Sequence, residues 1–275
     1  MEFLEENETK LIPFLKWAGG KRWFVQKYAD HLPNNFHRYI EPFLGGGSVF
    51  FHLKPENAIL GDLNQDLIIA YSAIKEDYDS LITALRKHNR QHSYEYYYKV
   101  RACNPTSDIG RAARFIYLNR TCFNGIYRVN LKGKYNVPKG SKNTVILESD
   151  DFSALSYQLQ SARIINSDFE ILIETAQRGD LVFADPPYTV KHNFNGFVKY
   201  NEKLFSWDDQ IRLADALYRA KERGVKIVST NANHESIREL YLEREFGFQS
   251  VSRYSSISAK ICSRNQFEEL LVRAI

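Results

Sequence analysis

The sequence predicts an α/β fold, from three observations. Short apolar runs alternate with amphipathic helical stretches over much of the chain. Acidic residues stand where several of those runs stop. One long basic, tyrosine-rich stretch interrupts the alternation and reads as an inserted module. The chain has 275 residues, 44% hydrophobic and 25% charged, long enough for one large α/β domain or a core with an insertion.

Residues 11–20 end in Trp17-Ala18-Gly19-Gly20, followed by Lys21 and an amphipathic stretch predicted as helix from Lys21 to His31. Arg38 to Leu44 reads as a strand running into Gly45-Gly46-Gly47 and then a helix. Strand, glycine turn and helix N-terminus form a nucleotide-binding layout, because glycines admit a ligand to the backbone. The spacing is neither Gly-x-Gly-x-x-Gly nor a phosphate loop, so it disfavours a dinucleotide or triphosphate. Glu41, just before the turn, would repel phosphate and pair with a cationic amine. Phe43 lies between them. A second run, Ala58 to Gly61, ends at Asp62, which either accepts from ribose hydroxyls or caps the helix predicted from Asn64 to Lys75.

From Tyr78 to about Leu118 the pattern is helical, with tyrosines at 94, 96, 97 and 98 and a helix from Ile109 to Leu118. Between Glu95 and Lys142 the sequence carries ten basic residues and two acids, which points to a polyanion contact. Asn119 to Asn130 and Tyr135 to Pro138, around a Lys132-Gly133-Lys134 turn, read as a basic β-hairpin interleaved with Phe123, Ile126, Tyr127 and Tyr135. That mixture suits DNA: cations for phosphates, an arginine for a guanine edge, apolar wedges between bases.

The alternation resumes with Arg163 to Ser167, which ends at Asp168-Phe169. Asp168 either holds an adenine amino group beside an aromatic ring or caps the next helix. Leu181 to Ala184 then runs into Asp185-Pro186-Pro187-Tyr188. The prolines fix the loop and remove two N–H donors, so the carbonyls and Asp185 face whatever enters. Tyr188 adds a flat ring. The loop is built to accept hydrogen bonds from a planar group carrying an NH2. A polar loop to Ser206, a helix from Trp207 to Arg223, a strand from Val225 to Ser229 and a final strand pair around a polar loop (255–265) complete the chain. Three isolated cysteines suggest a reducing cytosol and no structural zinc. No window approaches the ~18 apolar residues of a membrane span, so a cytoplasmic protein is expected.

Together these stretches resemble the DNA adenine methylase (Dam) family of amino-methyltransferases, from about Phe14 to Leu271. The motifs that carry the resemblance are Phe14-Leu-Lys-Trp-Ala-Gly-Gly-Lys21, Glu41-Pro-Phe-Leu-Gly-Gly-Gly-Ser-Val-Phe50, Phe123-Asn-Gly-Ile-Tyr-Arg128 with Asn136-Val-Pro138, and Asp185-Pro-Pro-Tyr188. The resemblance implies a seven-stranded mixed, Rossmann-like methyltransferase sheet (residues 1–77 and 162–275). A mainly helical target-recognition domain bearing the hairpin (78–161) would be inserted in it. It implies S-adenosylmethionine as methyl donor and duplex DNA as substrate, with no metal and no membrane. Trp17, Ala18, Lys21, Glu41, Phe43, Gly45, Gly47 and Asp185 would line the cofactor pocket, with Asp62 on the ribose and Asp168 and Phe169 on the adenine. Asp185, Pro186 and Tyr188 would be catalytic. Arg128 would read a guanine, with Phe123, Asn124, Ile126, Asn136 and Pro138 on the same DNA-facing surface. GATC is the expected target, and a cognate restriction endonuclease is a candidate partner. After Pro138 the sequence departs from the family's aromatic-Gly-Arg-Tyr continuation, and the loop at 255–265 lacks the glycine-rich form.

Overall fold

Seven strands form one mixed sheet in the computed structural model, which describes residues 11–130, 133–191, 205–254 and 266–275. They are β1 (Tyr39–Glu41), β2 (Ala58–Asp62), β3 (Ala162–Asn166), β4 (Leu181–Ala184), β5 (Lys226–Ala232), β6 (Gly247–Tyr254) and β7 (Gln266–Ala274). Their order is β3-β2-β1-β4-β5-β7-β6. The first five run parallel, and β7 lies antiparallel to both β5 and β6. The sheet is the seven-stranded mixed one that the resemblance implies. Strand β4 is apolar throughout because it is buried throughout, as a central parallel strand must be. The chain order reverses between β1 and β4, since β2 lies on one side of the pair and β5 on the other. In open α/β sheets that reversal opens a crevice at the C-terminal strand ends.

The helices are α1 (Arg22–Lys27), α2 (Ser48–Leu53), α3 (Gln65–Gln91), α4 (Tyr94–Ala102), α5 (Asp108–Thr121), α6 (Phe152–Leu159), α7 (Phe169–Glu174), α8 (Trp207–Glu222) and α9 (Glu235–Leu242). The expected helix from Asn64 to Lys75 is the first part of α3, which kinks at Asp77 (φ −153°, ψ 68°) and continues to Gln91. Helix α8 opens on a reciprocal Ser206–Asp209 capping box. Helix α9 lacks any counterpart in the sequence reading. Among the described residues, no helix is long and apolar enough to cross a membrane.

The chain divides into two compact units. One comprises Gln26–Leu44, Pro55–Gln65 and Ala162–Ile275 and contains the whole sheet. Its core gathers Ile40, Ile59, Val182, Leu217, Ile227 and Val272 with apolar residues of α7, α8 and α9. The other comprises Met1–Val25, Gly45–Lys54 and Asp66–Ser161. There Arg120, at the end of α5, is clamped on both terminal nitrogens by Asp150 (2.5 and 2.7 Å). It also donates to the carbonyls of Phe14 and Val145 (2.8 and 2.6 Å). Arg120 is thus a buried cross-link, although its charge counts toward the basic stretch.

The expected hairpin is present, but two regular strands do not build it. Asn119 to Thr121 finish α5, and Phe123–Gly125 form a 3-10 turn. Asn124 and Gly125 there take left-handed φ values of 56° and 66°, which removes them from extended geometry. Pairing is confined to the isolated bridges Cys122–Lys139 and Val129–Tyr135, among the described residues. The loop at 255–265 and residues 192–204 of the loop before α8 lie outside the described residues.

Candidate active site

Four carboxylates mark the C-terminal edge of four adjacent parallel strands. Asp168 follows β3, Asp62 ends β2, Glu41 ends β1 and Asp185 follows β4. Neighbouring strands lie about 4.8 Å apart, so sheet pairing alone brings these acids to one edge. Glu41 is only 3% exposed and accepts from the Tyr39 hydroxyl at 2.9 Å. Burial, then the Glu41 charge, pushes the Tyr39 phenol well above its usual range. Asp62 Oδ1 accepts from the Asn64 amide (2.9 Å). Asp168 caps α7 through the Glu170 amide (2.9 Å) and pairs with Arg212 (2.9 Å). Asp168 thus makes the capping bond that its second alternative anticipates, whereas the Asp62 bond closes a turn before α3 begins at Gln65. Phe169 is 2% exposed, packed against Phe43 (5.3 Å between centroids) and the Arg212 guanidinium (4.4 Å). Phe43 is the ring left partly open.

An edge rich in carboxylates, with Arg212 beside Asp168, suits a ligand that brings hydrogen-bond donors and a positive charge. S-adenosylmethionine presents a sulfonium, an ammonium, ribose hydroxyls and an adenine amino group beside a single carboxylate, and it carries no phosphate. The acids fit it and would repel a nucleotide.

The tetrapeptide after β4 is braced from three directions. The Thr230 hydroxyl, on β5, donates to Asp185 Oδ1 at 2.7 Å. Ser229 donates to the Ala184 carbonyl at 2.9 Å. Asn231 donates to Gln210 of α8 (2.9 Å), which donates to the Pro187 carbonyl (3.3 Å). Tyr188 donates to Glu269 of β7 at 2.5 Å. Burial, with the Asp185 and Glu269 charges, pushes the Tyr188 phenol well above its usual range; the Thr230 hydroxyl acts in the opposite direction. Gln210, Ser229, Thr230, Asn231 and Glu269 have no functional role in the sequence reading. The available signal was a polar triplet, Ser229-Thr230-Asn231, closing an apolar strand.

In the other unit, Gly45 and Gly47 adopt left-handed φ values of 46° and 62°. A Cβ at Gly45 would come within 2.7 Å of the Trp17 ring, and one at Gly47 within 2.8 Å of the Tyr71 hydroxyl. The turn therefore needs glycine for both conformation and space. Trp17 stacks on Tyr127 (5.9 Å, 25°). Ala18 is exposed, and Lys21 is buried with its ammonium donating to the Gly19 carbonyl (2.9 Å).

On the hairpin, Phe123 is 53% exposed and Ile126 is exposed beside it. Asn124 and Pro138 are also exposed, and the Pro138 carbonyl accepts from the Phe123 amide (2.9 Å). Arg128 Nε donates to Asn136 Oδ1 at 2.9 Å, which aims the guanidinium while its terminal nitrogens stay available for a bidentate contact. Tyr97 and Arg101 of α4 both donate to the Val137 carbonyl (2.9 and 3.1 Å). Part of the basic stretch is thereby used internally: Arg111 pairs with Asp66 and Arg114 donates to carbonyls of α4.

Residues 17–257 match the model of the D12 class N6 adenine-specific DNA methyltransferases. The chain is 36% identical to a type II methyltransferase of Lactococcus lactis subsp. cremoris, over 99% of this chain and 98% of that one. It is 34% identical to a DNA adenine methylase of Vibrio cholerae, over 94% of each. A DNA N-6-adenine-methyltransferase of Escherichia phage P1 is 36% identical over 97% of this chain and 37% of its own. With the sheet, the acidic strand ends and the braced Asp185-Pro186-Pro187-Tyr188 in agreement, the chain belongs to the D12 class of N6 adenine-specific DNA methyltransferases.

Proposed function

We propose that the protein methylates N6 of an adenine flipped out of duplex DNA, within GATC, using S-adenosylmethionine. The row of carboxylates ending at Asp185 is the observation that carries this reading. S-adenosylmethionine supplies an electrophilic methyl group on a sulfonium centre. Glu41 takes its ammonium, Asp62 the ribose hydroxyls and Asp168 the adenine amine. Phe43 is the wall against the adenine ring, backed by Phe169. Trp17, Ala18, Lys21, Gly45 and Gly47 are also proposed as cofactor-binding residues, on the resemblance of their motifs.

Adenine N6 is a weak nucleophile because its lone pair is delocalised into the ring. Asp185 and the Pro186 carbonyl each accept one N6 hydrogen. That draws the nitrogen toward tetrahedral geometry and aims its lone pair at the methyl group, so that the N–CH3 bond would form as the S–CH3 bond breaks, the neutral thioether S-adenosylhomocysteine would leave, and N6 would lose one proton after transfer. Orientation and charge placed in advance carry the rate. Tyr188 stacks on the extruded base, which a duplex otherwise hides. Residues 78–161 act as the recognition domain, and the enzyme works in the cytoplasm, where the DNA is.

Arg128 is the proposed guanine reader, with Phe123 and Ile126 as apolar contacts and Asn124 and Pro138 on the same surface. Arg128→Ala is expected to relax discrimination at one guanine by about 1–3 kcal/mol. Methylation rates on cognate and guanine-substituted duplexes measure this, and unchanged discrimination removes Arg128 from the role. The near full-length similarity to a type II methyltransferase supports a second reading, in which another sequence is protected against a cognate endonuclease. Mapping methylated adenines on plasmid DNA from a methylation-free host decides between them: modification at GATC supports the first, modification only elsewhere the second.

A further inference from the structure

We propose that Thr230 and Glu269 are positioning residues for methyl transfer. Thr230 fixes the Asp185 carboxylate as an acceptor, and Glu269 fixes the Tyr188 ring. This inference rests on the roles given above to Asp185 and Tyr188.

The geometry follows from strand register. Ala184 pairs with Ser229 across β4 and β5, so Asp185 leaves the sheet directly beside Thr230. Thr230 pairs with Leu271 on β7, and Ala232 pairs with Glu269. Glu269 is thus the diagonal neighbour of Thr230 on the same sheet face, within reach for long side chains. The two side chains meet the two ends of the tetrapeptide: Thr230 donates to Asp185 at 2.7 Å, and Glu269 accepts from Tyr188 at 2.5 Å.

Both residues are chemically costly where they stand. Thr230 is fully buried and Glu269 is 3% exposed. A buried carboxylate is stabilising only when its partners compensate for lost water. Valine and leucine would fill these sheet positions without that cost. What threonine adds is a hydroxyl that donates to Oδ1 of Asp185 and sets the plane of the carboxylate. What glutamate adds is a fixed acceptor that stops the Tyr188 ring from swinging. Neither reaches the base, so each acts through its partner.

The test is steady-state kinetics on a duplex carrying the mapped target, with S-adenosylmethionine binding measured separately. Thr230→Val is expected to lower kcat at least ~10-fold, the scale of a lost hydrogen bond to a charged group. KM for DNA and the cofactor Kd are expected to stay within about twofold. Thr230→Ser should recover kcat to within about threefold. Thr230→Ala removes the same hydroxyl and serves if the valine variant does not fold. Glu269→Leu, which removes the acceptor, should lower kcat, and its loss should not add to that of Tyr188→Phe in the double variant, because both break one contact. Wild-type kcat in the hydroxyl-free variants, a serine variant as impaired as valine, or additive losses for Glu269 and Tyr188 would overturn the proposal. Asp185→Ala run alongside separates the two levels. If it stays active, the assignment of the site itself fails. If it is inactive while Thr230→Val is normal, only the positioning role fails.

Discussion

Asp185→Ala is expected to lower methyl transfer by about 10³-fold while binding of duplex DNA stays within about threefold. The carboxylate is the proposed acceptor that holds N6 and pulls it out of planarity, and removing one preorganised polar group of this kind costs about 10²–10³-fold in kcat. Losing the orientation of the nitrogen adds to that. On the same proposal DNA affinity resides elsewhere, in the cations and apolar side chains of the hairpin and in phosphate contacts, which supply most of such binding. Radiolabelled methyl incorporation measures the first quantity and fluorescence anisotropy of a labelled duplex the second. Activity above a tenth of wild type in this variant would remove Asp185 from the catalytic role.

Breaking the Arg120–Asp150 pair is the largest expected effect on stability. The two side chains are 3% and 5% exposed, and Arg120 also serves two main-chain carbonyls. Asp150→Ala strands a guanidinium in a buried setting, which costs about 3–5 kcal/mol. For a chain of this size that corresponds to a melting temperature lower by roughly 10 °C. Replacing both residues with apolar ones of similar volume is expected to cost less than the single change, since no uncompensated charge remains. Thermal melts followed by circular dichroism measure both; a shift under about 2 °C for Asp150→Ala contradicts this account.

These two residues also show where a sequence is readable. Asp185 stands out locally, because an apolar run stops, two prolines follow and an aromatic closes the turn within four positions. Thr230, Gln210 and Glu269 are 45, 25 and 84 residues away, and each looks ordinary in its own neighbourhood: a strand threonine, a helix glutamine, a strand glutamate. Only the register of β4, β5 and β7 makes them one group. Arg120 fails for the mirror reason. Counting charges sums residues without their partners, and Asp150 lies outside the counted stretch. The hairpin was legible as a turn-rich basic segment. Its pairing was not, because the left-handed backbone at Asn124 leaves no continuous extended run to detect. Asp62 and Asp168 remained two-sided in sequence, and the structure explains why: a strand-end acid makes its turn bonds with one part of the carboxylate and still lines the sheet edge.

The position of β7 sets an order of assembly. It is the last of the seven strands to be synthesised, yet it lies between β5 and β6. Among the described residues strand β6 pairs only with β7, so a nascent chain that stops before Gln266 leaves β6 without that ladder and the outer edge of β5 open. It also leaves Tyr188 without its carboxylate. The carboxylate that Tyr188 bonds is therefore encoded some eighty residues after the tetrapeptide itself, and this brace forms only once Gln266–Ala274 has joined the sheet.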